Sequence, residues 1–381
     1  MRYMTVSILI ASLSVMLLCS CGRETTSSSP PKKQELTFAC GVDNTDTMET
    51  IFREFSEQSE TTLVKLVKLP KSSIDTHRIL NSALIGQEVD IDAMLAEDIW
   101  VKEFIKNGYL KDLSEIAAFP AGEYLPGVAK LTQSYDHLYW YPMILDVGVM
   151  YYNTELASTP VTYNQLVGNG SASYTIQGTD GEEMFCVLLE LIQATGSVRG
   201  GLEMYKNAIE ESGVSEENDY INAFKNGKAA YMRGWASENK DILYGFSSVQ
   251  GKVRAAAMET APGQTCAVAR VYGFAASAAS EKEENIGELL RYLLRDEVQK
   301  QMIIGMGTLP LRNVYYEDLM IMDAAAYYGD YKELSDKLTY RSQREDYTHA
   351  SREVRKVIVS YMEGDASLEE AETALHTFLG A

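Results

Sequence analysis

Apolar residues recur with two periods along this chain. In "ELTFACG" (Glu35–Gly41) Leu36, Phe38 and Cys40 fall at every second position, the spacing of a strand with one buried face, and the mixed apolar and polar run "TTLVKLVKL" (Thr61–Leu69) reads as a second strand. Between them Met48, Ile51, Phe52 and Phe55 share one face of a helix. Asp46 and Glu49 have the spacing of a capping box at its start. A second helix is expected to end near Gly86, a strand to cover Val89–Leu95, and a helix to cover Asp98–Lys106 with Gly108 as its C-cap. Further on, the pattern predicts a strand over Trp140–Tyr152 and a mostly helical stretch over Glu182–Gly196. A helix then leads to an Asn226-Gly227 turn and a strand reaching Trp235. "VYGFAASAAS" reads as a strand, and Ile286, Leu289, Leu290 and Leu293 mark a helix over Glu283–Arg295. Two helices close the chain, one with Val354, Val357, Ile358 and Tyr361 on a face, the other opened by a capping box at Ser367 and Glu370. Strand–helix–strand order predicts an α/β fold with a largely parallel sheet.

One strand breaks the pattern. "LYWYPMILDVGVMYYN" (Leu138–Asn153) is aromatic and aliphatic almost throughout, yet carries Asp146 at its centre. A carboxylate in an apolar strand is costly unless a partner satisfies it.

The first twenty residues follow neither period. Arg2 is their only charge, and Met4–Leu18 is nearly all apolar or small. That run is too short for a membrane span and reads as the apolar region of a signal peptide. It ends in "LLCSCG", where Leu18, Cys19 and Ser20 precede Cys21 in a pattern that resembles the bacterial lipobox. The expected organisation is a signal peptide over 1–20 and a tether over 21–35 anchored through lipid on Cys21. The run "RETTSSSPPKKQE" is too polar to build a core. An ordinary secretory signal cut nearby is the competing reading.

Composition narrows the function. A chain of 381 residues is long enough for about two domains. A net charge of -20 at pH 7 argues against nucleic acid as a partner, because neutralising phosphates needs clustered Lys and Arg. Cys40, Cys186 and Cys266, flanked by apolar residues, read as small buried side chains rather than a disulfide scaffold. No nucleophile motif, phosphate loop or metal-ligand spacing is present, and the four histidines are scattered singly. No catalyst, metal or cofactor is therefore expected. What stands out are aromatics beside charges at strand ends and turns: Asp98 with Trp100, Asp146 in its aromatic strand, Arg233 with Trp235, and Tyr272-Gly273-Phe274. Each aromatic alone reads first as core packing. Together they suit a sugar, whose C–H faces lie on rings and whose hydroxyls bond charged groups.

Five segments, in order, resemble the extracellular solute-binding proteins of bacterial ABC transporters, in the carbohydrate-binding family of the maltose- and trehalose-binding proteins. They are "EDIWVKEFIKNGYLKDLS", "YPMILDVGVMYYNTEL", "IQGTDGEEMFCVLLELIQATG", "AFKNGKAAYMRGW" and "LLRYLLRDEVQKQMIIGMGTLPLR". The resemblance implies a two-lobe α/β fold with a hinge and an interlobe cleft. Its N-lobe would hold 36–145 plus 272–320, and its C-lobe 146–271 plus 321–381. It implies non-covalent binding of a sugar or oligosaccharide, delivery to the transmembrane subunits of an ABC permease, and a monomeric receptor anchored outside the cytoplasm. Ligand contacts would come from Asn44, Asp98, Trp100, Asp146, Arg233, Trp235, Tyr272, Gly273 and Arg341. Ile144 beside Asp146 and Ser342 after Arg341 depart from the family pattern. A peptide, polyamine or other polar solute therefore stays open as the ligand. A glycan-acting enzyme and a surface lipoprotein with a degenerate cleft are the readings from other classes.

Overall fold

The computed structural model describes residues 32–43, 45–86, 90–168, 173–177, 181–212, 219–244, 247–261, 263–325 and 327–380. The expected signal peptide, Cys21 and Asn44 lie outside them. The described chain opens with β1 (Gln34–Cys40), α1 (Thr47–Gln58), β2 (Thr62–Lys68), α2 (Ser73–Leu84), β3 (Ala93–Glu97) and α3 (Asp98–Lys106). β1 lies between β2 and β3 and is parallel to both. The apolar face of α1, with Met48, Ile51, Phe52 and Phe55, is buried as its spacing requires.

Two local expectations are corrected. Asp46 and Glu49 form no capping box. Asp46 is left-handed at φ 58 and makes no side-chain cap. Asp43 instead accepts from the Met48 N–H at 2.6 Å, freeing Asp46 and Glu49 to pair with Lys68. β3 starts at Ala93 rather than Val89. Just before it, Asp92 accepts the Thr37 N–H through its side chain at 2.8 Å, so β1 bonds a carboxylate there in place of a ladder carbonyl.

α4 (Pro126–Thr132) leads into β4 (Tyr141–Asn153), whose residues are all buried except Tyr152. Next come α5 (Tyr163–Gly168), β5 (Tyr174–Thr175), α6 (Gly181–Thr195), α7 (Val198–Ser212), α8 (Asp219–Lys225), β6 (Tyr231–Trp235), α9 (Asn239–Tyr244) and β7 (Val253–Ala257). A small ribbon, β8 (Glu259–Ala261) with β9 (Gln264–Thr265), precedes β10 (Val268–Ala276). The chain ends with α10 (Glu283–Leu293), α11 (Asp296–Met306), α12 (Leu319–Met322), α13 (Tyr328–Lys332), β11 (Thr339–Tyr340), α14 (Tyr347–Glu363) and α15 (Leu368–Leu379). The Ser367–Glu370 capping box is formed at the start of α15.

The main sheet runs β2-β1-β3-β10-β4-β6-β5, with β11 beside β10 and β7 beside β4. Its flank is parallel, but its centre is not: β10 is antiparallel to β3 and β4, and β4 is antiparallel to β6 and β7. The expectation of a largely parallel sheet thus holds for β1 to β3 and for the short β5–β6 and β10–β11 pairs but fails at the centre, because β10 returns from the later part of the chain in the opposite direction. β4 changes partners along its length. Tyr141–Val147 pairs with β10, and Gly148–Asn153 with β6 and β7. Being covered on both faces, it has no polar alternation to display. Cys40, Cys186 and Cys266 are buried and free.

Candidate functional site

Asp146 faces an arginine. Arg270 stands directly opposite it in the β4–β10 register, and its Nη2 donates to Asp146 Oδ2 at 2.9 Å. Ser237 donates to the same carboxylate twice, from N–H at 3.0 Å and from Oγ at 2.8 Å. The second Nη of Arg270 donates to Glu183 in the first turn of α6 at 3.3 Å. Asp146 is therefore a fully buried structural partner of the crossing strands. Arg270 is a site residue that the sequence reading passed over. Its signal in the sequence is the same as that of Asp146, since "VARVYGF" is also an apolar strand with one charge.

Behind this pair lies a stack. Arg233 makes a two-point pair with Glu190, at 3.0 Å from Nε and 2.7 Å from Nη2. Its guanidinium lies 4.1 Å from the centroid of the Trp235 ring, and that of Arg270 lies 3.6 Å away. The indole N–H donates to Gln177 at 2.6 Å, and Trp235 packs on Cys186 and Val268. Only 1% of Trp235 is exposed. Gly148 in β4 has no side chain for a packing reason, because a Cβ there would collide with the Arg233–Glu190 pair.

A second cluster centres on Arg341, just after β11. Its Nη2 donates to Glu97 at 2.6 Å and to Asp98 at 3.0 Å, and its Nη1 to Glu182 at 3.4 Å. Arg341 thus ties the start of α3 to the start of α6. Asp98 also accepts from the Val271 N–H at 3.2 Å and from Gln343 at 3.1 Å. Burial pushes Asp98 up to about 6, against the pull of Arg341. Burial likewise pushes Glu182 up to about 7, opposed by Arg341 and by the Tyr347 hydroxyl.

Beside the first of these clusters is a cavity of about 100 Å³. Gly41, Val42 and Lys71 line it from the β1–β2 side, and Gln177, Glu183, Tyr220, Trp235, Ser237 and Glu238 from the α6–β6 side, with Arg270 and Tyr272 from β10. Glu238 accepts from Tyr220 and, at 2.9 Å, from the Trp235 N–H. Of the expected ligand residues, Trp235 and Tyr272 reach this wall. Arg233, Asp146, Asp98 and Arg341 do not line it and are held in buried ion pairs. Trp100 does not reach it but packs on His77 and Phe104, because it points from α3 into the core. Gly273 serves packing, since a Cβ there would strike the Trp140 ring beside the β4–β10 register shift. Glu183, Tyr220, Ser237 and Glu238 gave no separable signal in a chain with 54 Asp and Glu residues. Among the described residues no group of three or more His, Cys, Asp and Glu is arranged to hold a metal ion.

Residues 50–327 match the profile of the bacterial extracellular solute-binding proteins. A probable ABC transporter-binding protein of Deinococcus radiodurans is 24% identical over 308 residues, 68% of this chain and 72% of that protein. Among solved structures, the maltose-bound MalE3 of T. maritima superposes with a TM-score of 0.80 at 22% identity, covering 91% of this chain and 99% of that one. The GacH receptor of Streptomyces glaucescens, solved unliganded and with acarbose, gives 0.75 at 19%, covering 92% and 99%. A solute-binding protein of Agrobacterium radiobacter in complex with ribitol gives 0.76 at 17%, covering 92% and 98%. The fold is the two-lobe α/β arrangement of these proteins.

Proposed function

This chain belongs to the bacterial extracellular solute-binding proteins, a family of non-enzymatic transport receptors, and from that premise we propose that it captures a sugar or related polyol for an ABC importer. The observation that carries the reading is the cleft wall. Glu183, Glu238, Gln177, Lys71 and Arg270 converge on one cavity beside Tyr272, so charged and polar hydrogen-bonding groups of both signs face the same space. Similar proteins hold maltose, acarbose and ribitol in their structures, and the shared fold supports carrying that ligand class to this chain.

The lobes follow the earlier boundaries, 36–145 plus 272–320 against 146–271 plus 321–381. What supports them is the change of partners in β4 between Val147 and Gly148, and the position of Arg270 and Tyr272 on β10 beside that point. Closure about these strands would enclose the ligand. The protein acts as a monomer outside the cytoplasm, held to the membrane by lipid on Cys21, and passes its ligand to the permease.

The test is a thermal-shift screen of the purified chain against monosaccharides, alditols, oligosaccharides, amino acids and polyamines. A ligand present at about 100 times its dissociation constant adds about 2.7 kcal/mol, which raises the melting temperature measurably. A shift with carbohydrates or alditols alone is expected. A shift with amino acids or polyamines alone would keep the receptor role and reject the ligand class.

A further inference from the structure

The groups that first suggested a sugar site are already occupied by the protein itself. Both oxygens of Asp146 are taken by Ser237 and Arg270. The Trp235 ring is 1% exposed and lies against two guanidinium groups, so it offers no open face for a sugar ring. What lines the cavity in front of both is Arg270. Its two Nη atoms are tied to Asp146 and Glu183, which fixes the plane of the guanidinium. Its Nε–H has no partner among the described residues, although Arg270 is only 9% exposed. Arg312 and Arg341 also keep an Nε–H without a partner among the described residues, so what sets Arg270 apart is that its guanidinium is held rigid at the cavity wall.

We infer that Arg270, rather than the Trp235 indole, is the ligand-facing group that sets specificity in this cleft, and that the site takes a compact polyol of monosaccharide or alditol size in preference to an oligosaccharide. The inference rests on the carbohydrate reading above and narrows it. Three arguments carry it. Arg270 is a donor flanked by the acceptors Glu183 and Glu238. A hydroxyl group matches that alternation, because it accepts from the guanidinium and donates to a carboxylate. A simple anion would meet Glu183, Glu238 and Asp241, and a simple cation would meet Arg270 and Lys71, so a neutral polyhydroxylated ligand suits the wall best. Size points the same way. The cavity of about 100 Å³ is below the roughly 300–1,000 Å³ of drug-sized ligand sites, and a lobe-closing receptor must enclose what it carries.

Calorimetric titration of the purified full-length chain with ribitol, D-mannitol, D-glucose, maltose and maltotriose tests this. At least one of the three compact compounds is expected to bind about tenfold or more tightly than maltotriose, because the trisaccharide is too large to be enclosed. Arg270→Lys, which keeps the charge but loses the planar fork, is expected to weaken that compound about tenfold or more. Circular dichroism of the variant confirms that it is folded. If it is not, Asp146→Asn combined with Arg270→Gln removes both charges together and takes its place. Maltotriose binding as tightly as the compact polyols would overturn the size argument, and unchanged affinity in the folded variant would overturn the role of Arg270. Either result leaves the carbohydrate reading standing. Failure of all five compounds, with binding of a non-carbohydrate in the wider screen, would overturn that reading and this inference with it.

Discussion

Asp146 and Arg270 are each affordable in an apolar strand only because the other is there. The pair is closed at 2.9 Å, with the aspartate side chain fully buried and the arginine side chain 11% exposed. Removing one partner of a buried pair leaves the other charge uncompensated, so Asp146→Ala should cost about 3–5 kcal/mol in urea unfolding. Ser237→Ala, which leaves the ion pair whole, should cost only about 1 kcal/mol. Glu182 makes a pH prediction. Its carboxyl is held up to about 7 by burial, from an ordinary 4.5. Between those values the folded state keeps a proton that the unfolded chain has lost, so this group's contribution to stability falls as pH rises from about 4.5 to about 7. Glu182→Gln should flatten that part of the stability profile, read as urea midpoints across the range.

At the scale of elements, β4 has the central position. Its first half belongs to the β10 ladder and its second to β6 and β7, so one strand joins two groups of strands. Gly148 sits just past the change and leaves room for Arg233 and Glu190 to meet. Gly148→Ala should therefore destabilise by about 1–3 kcal/mol through overpacking, although alanine is otherwise the better strand residue. Ser367→Ala at the head of α15 should cost about 1 kcal/mol, because it removes a cap whose reciprocal Glu370 bond is formed. The two capping boxes read from spacing had different fates. Ser367 and Glu370 formed theirs, while Asp43 displaced Asp46 at α1 and Lys68 drew the freed carboxylates away. Spacing specifies which residues can cap a helix, and competing partners from other segments decide which one does.

At the scale of the whole molecule, the cleft is held by arginines drawn from late in the chain. Arg341 bridges Glu97 and Asp98 to Glu182, and Arg270 bridges Asp146 to Glu183, so adjacent carboxylates on α6 serve two separate clusters. Function at this scale also needs a place to act. If Cys21 carries the anchor, Cys21→Ser should move the protein from the membrane fraction to the soluble extracytoplasmic fraction. Unchanged membrane association would reject the anchor while leaving the receptor role intact.

The sequence by itself determined the helices and strands with strong periods, the burial of the three body cysteines, and the presence of a charge in β4 that needed a partner. Those features depend on local spacing or on the high cost of burying an unpaired charge, and both are written along the chain. Five ordered segments also pointed to the family. Only the tertiary structure decided that Trp100 and Gly273 pack the core, that Asp146 and Arg341 are consumed by internal ion pairs, and that Arg270 stands at the cavity wall. A charge in a strand announces that it needs a partner, but which partner it finds depends on strand register and on contacts across more than a hundred residues. Asp146 and Arg270 meet 124 positions apart, and Arg341 reaches Glu97 across 244.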